Sequence, residues 1–147
     1  MRRVLALSGR VAVSVYSAIE RTPGANAFVC ALDEALGTGS SQIKRGEHAF
    51  ANPGELETLM TKAGFGAIDV QTVVKPIAFP SVLDYVRFQL LATPMASLLR
   101  DKQETERQAI ISTVASKTAA FSIPPAPEGG TFSFPQEAYV ATARKYP

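Results

Sequence analysis

Hydrophobic and polar positions change period several times along this chain. From Arg10 to Tyr16 the sequence RVAVSVY alternates, with Val11, Val13 and Val15 on one face and Ala12, Ser14 and Tyr16 on the other. Both faces are mostly apolar, the pattern of a strand covered by helices on both sides. Thr22-Pro23 then predicts a helix start, with Thr as cap and Pro at the first helical position. Phe28, Leu32, Ala35 and Leu36 follow at helical spacing, and Gly37 predicts the stop. Residues 37–52 are mixed and polar and read as a loop with one short turn at most. Asn52-Pro53-x-Glu55 predicts a second helix start, carrying the stripe Leu56, Leu59, Met60 and Ala63.

The second half continues in the same way. Gly64-Phe65 precedes a strand expected over about Ile68 to Ile77, where Pro76 places the end at a sheet edge or beyond the ladder. Ser81-x-x-Asp84 opens a helix with Val82, Val86, Leu90 and Leu91 as its apolar residues, and Pro94 breaks or kinks it. Asp101-x-x-Glu104 resembles a capping box for a helix carrying Ile110, Ile111 and Val114. The stretch SIPPAPEGG over 122–130 reads as a loop inside a domain. A last strand is expected over Ala138 to Ala143, separated by Pro135 from an extended stretch at Thr131 to Phe134. Ahead of all these, residues 2–7 read as a helix end or entry segment, and Ser8-Gly9 as a turn. The order strand, helix, helix, strand, helix, helix, strand predicts an α/β fold with helices on both faces of a thin sheet.

Composition narrows the function classes. With 147 residues the chain has the length of one average domain. Its 15 Lys and Arg against 13 Asp and Glu form no basic patch, so nothing supports nucleic-acid binding. No apolar run is long enough for a membrane span. The start MRRVLALSGRVAVSV resembles a crude signal peptide, but Ser8, Gly9 and Arg10 interrupt it, so a cytoplasmic protein is expected. Only 19% of residues are charged, which implies surface less polar than usual.

Candidate chemistry is sparse. Cys30 is single, sits within a helical stretch and reads as a buried small hydrophobe. His48 is the one histidine; in KRGEHAF it reads as a solvated loop residue, with a catalytic base as the alternative. Gly37-Thr38-Gly39-Ser40-Ser41 lacks the glycines and the lysine of a phosphate loop and follows a helix, so it reads as a helix stop. Lys44-Arg45 is weak evidence for an anionic ligand. Glu55 and Glu57 are two apart and read as a solvated face. Tyr16 is the better candidate, because it stands at the carboxyl end of a strand, where open α/β sheets bind ligands.

The opening LALSGRVAVSVYSAIERTPGANAFVCAL resembles a segment of class I methyltransferases that use S-adenosylmethionine. There a helix ends in an L-x-P-G-G-R turn before the fifth strand; here the turn is the altered Leu7-Ser8-Gly9-Arg10. Asn52-Pro53-Gly54-Glu55-Leu56 and Leu59-Met60-x-x-Ala63-Gly64-Phe65 are similar to the segment before a late strand, which ends in A-G-F. Phe79-Pro80-Ser81, Tyr85-Val86 and Thr93-Pro94-Met95 resemble the helical insert between the last two strands. Phe132-Ser133-Phe134-Pro135 and the run Tyr139 to Lys145 resemble the final strand, which is antiparallel in that family. The resemblance covers essentially the whole chain through order and spacing; no single motif is specific.

The resemblance implies a partial Rossmann-like α/β fold: the last three strands, the final one antiparallel, with flanking helices and a two-helix lid over about 80–121. Residues 1–147 would be the carboxyl-terminal portion of a methyltransferase-like domain. The glycine-rich loop and ribose-binding acid of the family have no counterpart here. S-adenosylmethionine would therefore bind the other half, and no catalytic, cofactor-binding or metal residue is assigned. The chain would be a truncated product, a gene fragment or part of a split enzyme, inactive alone. It would supply the wall and lid around a small-molecule acceptor, with Tyr16, Phe28 and Tyr85 as substrate-binding residues. Strand 10–16 would be left with an open edge, so a homo-oligomer or an amino-terminal partner chain is expected to pair there. Two alternatives are a non-catalytic dimerisation or interaction module derived from a methyltransferase, and a small ligand-binding α/β protein unrelated to methyl transfer.

Overall fold

The computed structural model describes residues 1–122, 125 and 130–145. The described residues form three strands: β1 (Arg10–Tyr16), β2 (Phe65–Phe79) and β3 (Phe132–Lys145). Between β1 and β2 lie α1 (Pro23–Leu36), α2 (Gln42–Glu47) and α3 (Pro53–Lys62). Between β2 and β3 lie α4 (Val82–Ala92) and α5 (Glu104–Phe121). Short 3-10 turns occupy Arg2–Val4, Ile19–Arg21 and Pro94–Leu99. No helix among the described residues is long and apolar enough to cross a membrane.

The sheet order is β1-β3-β2, and β3 runs antiparallel to both neighbours. β1 and β2 are therefore parallel to each other and separated by the last strand. This is the expected α/β arrangement with an antiparallel final strand. Both late strands are longer than their sequence pattern implied. Pro135 does not interrupt β3, because it stands opposite Pro76 on β2, and neither proline has an amide to give the other. β1 covers β3 only over Ala138–Arg144, so the second edge of Pro135 meets no strand. A bulge between Gly66 and Asp69, with Ala67 at φ 46°, absorbs one register shift in β2.

Alternation along β3 creates two cores on opposite faces. Phe132 and Phe134 point into one, closed by α1, α4 and α5. Tyr139, Ala141 and Ala143 point into the other, closed by Leu56 and Met60 of α3. The two-sided cover expected for β1 is not found. Val11, Val13 and Val15 pack against the α3 core, but Ala12, Ser14 and Tyr16 remain exposed, because the three lid-side helices gather over the far ends of β2 and β3. Among the described residues the outer edge of β1 is also unpaired, apart from one parallel bridge between Ser17 and Phe50 just past its end.

Side-chain caps form at two of the four expected helix starts. Asn52 caps α3 as expected: its Oδ1 accepts the Glu55 amide at 3.2 Å, and Glu55 Oε2 accepts the Ala51 amide at 3.1 Å. Asn52→Ala should cost about 1 kcal/mol. Denaturant titration should show the loss, and Asn52→Asp should restore most of it; an unchanged Asn52→Ala midpoint would contradict the cap. Ser81 caps α4 through the Asp84 amide at 3.1 Å. Thr22 precedes α1 but does not cap it; its buried hydroxyl accepts Gln136 Nε2 at 3.1 Å, tying α1 to β3. The box expected at Asp101 is absent as well. α5 begins at Glu104 with Gln103 as cap, and Arg107 closes the preceding turn by donating to the Lys102 and Arg100 carbonyls, both at 2.9 Å. Most of the loop expected over 122–130 (residues 123, 124 and 126–129) lies outside the described residues.

Candidate functional site

Tyr16 ends β1 on the uncovered face and is 40% exposed. The chain then turns: the Ser17 amide and hydroxyl both donate to the Glu137 carbonyl at 3.3 Å. The Ser17 carbonyl takes its partner from a different element.

The partner arrives from α2, a six-residue helix where the sequence suggested a loop. A helix this short does not hold itself in water. It is fixed by Asp33, one turn before Gly37 stops α1 at φ 95°. Asp33 accepts the Ser41 hydroxyl at 2.7 Å, the Ser41 amide at 3.0 Å and Arg45 Nη2 at 3.3 Å. Partial burial works to raise the Asp33 carboxyl, but the Ser41 and Arg45 contacts outweigh it and hold it below the usual carboxylate range. The Gly37–Ser41 stretch thus serves as a helix stop and a brace.

With α2 fixed, Lys44 and His48 share one side at helical spacing and turn toward Tyr16. His48 is 6% exposed, which overturns the solvated-loop expectation. Its Nδ1 lies 2.8 Å from the Ser17 carbonyl oxygen, and its ring stacks on Tyr16 with centroids 5.0 Å apart and planes at 19°. Lys44 is also buried; its Nζ sits 5.7 Å from the Tyr16 ring centroid and pairs with Glu47 Oε2 at 2.8 Å. Burial pushes the His48 imidazole below its ordinary pKa, with Lys44 adding to the effect; the Ser17 carbonyl, Glu47 and Glu20 oppose it. No feature of the sequence marks His48 as buried. The spacing of Lys44 and His48 was the one available signal, and it required knowing that α2 is a helix.

An open groove of about 610 Å³ runs past this cluster, lined by Ser14, Val15, Tyr16, Gly46, Glu47 and Phe50. On the opposite face of β1 a more apolar cavity of about 310 Å³ lies against α3, lined in part by Val13, Val15, Phe50, Leu56, Met60 and Phe65. Of the three sequence candidates, Tyr16 lines the groove described here, and Phe28 and Tyr85 line neither it nor the apolar cavity. Phe28 is fully buried and Tyr85 is 2% exposed; their rings meet edge-on at 5.6 Å. Tyr85 also touches Phe79, Phe132 and Phe134 at 5.0, 5.2 and 5.4 Å. Burial pushes the Tyr85 phenol far up, and Glu47 and Tyr16 push the same way. Cys30 is half-buried on α1, less enclosed than expected. No three metal-ligating side chains gather among the described residues.

The His48 shift makes stability depend on pH. The folded protein binds the His48 proton less readily than the unfolded chain, so the unfolded state gains protons first as pH falls below about 6.5. The stability from neutral His48 is complete above that pH and is lost as pH falls toward the folded value. Asp33 adds stability that is complete above its unfolded value of 3.8 and is lost below it. Melting midpoints should fall between about pH 7.5 and 5, and His48→Gln should flatten that limb. A parent midpoint constant over this range would refute the assignment.

No protein-family model matches the chain, and no curated protein matches it significantly. Among solved structures it is similar to a "putative methyltransferase" of Bacillus halodurans C-125, at 17% identity and a TM-score of 0.45, covering 99% of this chain and 55% of that one. It is also similar to Haemonchus contortus phosphoethanolamine N-methyltransferase 2 in complex with phosphomonomethylethanolamine and S-adenosylhomocysteine. There the identity is 15% and the TM-score 0.39, over 99% of this chain and 28% of that one. The chain thus spans about half of one relative and less than a third of the other. The likeness is a partial one, at low identity, to methyltransferase folds.

Proposed function

We propose that this chain is the acceptor-side portion of an S-adenosylmethionine-dependent methyltransferase that acts on a small molecule. The observation that carries the reading is the sheet: two parallel strands with an antiparallel last strand between them, the helices 82–121 on one face, and a groove at the carboxyl end of β1. In this reading Tyr16 forms part of the groove wall, and Phe28 and Tyr85 hold the lid helices to the sheet from within the core. The lid region 80–121 and a cytoplasmic location belong to the same reading.

The residues present do not themselves fit S-adenosylmethionine. β1 passes directly through Ser17-Ala18 into a 3-10 turn, with no glycine to let a backbone approach a nucleotide, and the glycines at 37 and 39 follow a helix. Cofactor binding is therefore assigned to residues outside this chain. Titration calorimetry of the 147-residue chain with S-adenosylmethionine should show no binding. The same chain joined to the coding sequence directly upstream should bind it and transfer methyl groups to low-mass acceptors. Tight binding by the short chain, or none by the long one, would overturn the proposal.

The open outer edge and bare face of β1 favour a second reading, an interaction module without catalysis. In both readings β1 pairs with a second copy or with an amino-terminal partner. Light scattering on an eluting column peak should report a dimer or larger. A stable monomer at tens of micromolar, with no partner recovered, would remove the pairing of β1 from both readings and with it the basis of the second.

A further inference from the structure

Arg10 and Arg144 stand directly opposite each other on β1 and β3. The Lys145 amide donates to the Gly9 carbonyl at 2.9 Å, so the pair that follows, Arg10 and Arg144, is of the non-hydrogen-bonded kind, whose side chains lie closer. Side chains directly opposite share one face, here the face on which Ala12 and Ser14 are exposed. Like charges in this register repel each other. Among the described residues no carboxylate relieves them, because neither guanidinium makes an ion pair or a hydrogen bond. Asp69 follows on the same face, opposite Thr142, but its Oδ2 accepts Gln71 Nε2 at 2.9 Å. Beside Arg144 on β2 stands Gly66, and the bulge after it brings only the Ala67 methyl. The small side chains leave a cleft of about 450 Å³ at the amino end of β1, lined by both arginines, Ala12, Ala67 and Thr142. The Tyr16 groove lies at the other end of the strand, roughly 20 Å away at the rise of a β-strand.

We propose that Arg10 and Arg144 together bind a phosphate group in this cleft. A guanidinium is a planar fork that grips an oxyanion through two parallel hydrogen bonds. One fork already matches the two oxygens and the single charge of a carboxylate. Two forks facing one cleft call for more acceptor oxygens and a second negative charge. A phosphate group carries about −1.5 to −2 charge at neutral pH and three acceptor oxygens, which meets both demands. The bound anion replaces one repulsion between the arginines with two attractions. The Thr142 hydroxyl on the cleft wall supplies a further donor. The inference does not depend on the acceptor-side reading, since the cleft and the groove lie at opposite ends of β1.

The test is an amide-shift titration of 15N-labelled protein with inorganic phosphate at about pH 7.5, above the second phosphate pKa, with chloride holding the ionic strength constant. The amides of Ala12, Ala67 and Thr142 should shift saturably. Glycerol phosphate should move the same amides, and the tighter of the two tells a free ion from a monoester. Acetate should not saturate them. Arg10→Gln and Arg144→Gln should each weaken phosphate at least about ten-fold, the loss expected for a charged hydrogen-bonding partner. Arg87→Gln removes the same charge from α4 and should leave binding unchanged. In phosphate-free chloride the Arg10→Gln and Arg144→Gln variants should melt no lower than the parent, because each removes the repulsion. No saturation by phosphate, equal binding of acetate, or an Arg87→Gln loss as large as that of Arg10→Gln would overturn the proposal. The parent titration decides this even if a variant does not fold.

Discussion

Tyr85→Ala should be the most damaging single substitution, lowering stability by about 3–5 kcal/mol. Tyr85 is the hub of the lid-side core, with Phe28, Phe79, Phe132 and Phe134 all within 5.6 Å of its ring centroid. Truncation would leave a cavity walled by four rings from α1, β2 and β3. Rings joined to three elements cannot all move inward to fill it, so both transfer energy and packing are lost. A domain is stable by only about 5–15 kcal/mol in total, so the variant should melt far lower or fail to fold. Tyr85→Phe separates structure from function. It keeps the ring packing and removes only the hydroxyl, so its stability should stay close to that of the parent. A Tyr85→Ala midpoint within the range of ordinary surface substitutions would show that the aromatic cluster does not hold the lid helices to the sheet.

Gly24→Ala should come next, for the opposite physical reason. Gly24 lies in the first turn of α1, buried against the Phe134 ring, and a Cβ there would overlap Cδ1, Cγ and Cε1 of that ring. Alanine ordinarily favours a helix over glycine by about 1 kcal/mol, which acts against the expected effect. The overlap prevails because Phe134 has no room to retreat: its ring centroid is 5.2 Å from Phe132 and 5.4 Å from Tyr85. Overpacking of this kind costs about 1–3 kcal/mol, and a contact this severe belongs at the upper end. Phe134→Ala alone should also destabilise, through the cavity it leaves. Combined with Gly24→Ala it should cost less than the sum of the two, since removing the ring removes the overlap. Strict additivity would mean that the close approach of α1 to β3 is not what requires glycine at this position.

The sequence by itself determined much of the local structure. Alternating valines fixed β1, Asn52-Pro53-x-Glu55 and Ser81-x-x-Asp84 fixed two helix starts, and Gly37 fixed a stop. These signals are local, because the groups that satisfy a helix end or one face of a strand lie within a few residues. It also placed Tyr16 at a strand end. Where a partner is distant in sequence, local reading failed. Thr22 was expected to cap α1, but its hydroxyl meets Gln136 from β3. Pro135 was expected to separate an extended stretch from the last strand, but it stands opposite Pro76 within one continuous strand. The order β1-β3-β2 depends on which edges meet, and no periodicity records that. His48 shows the difference most clearly. Its neighbours in sequence are polar and read as a solvated loop. Burial came from the Asp33 brace that seats α2 and from the Ser17 carbonyl 31 residues away, contacts that exist only once the chain has folded.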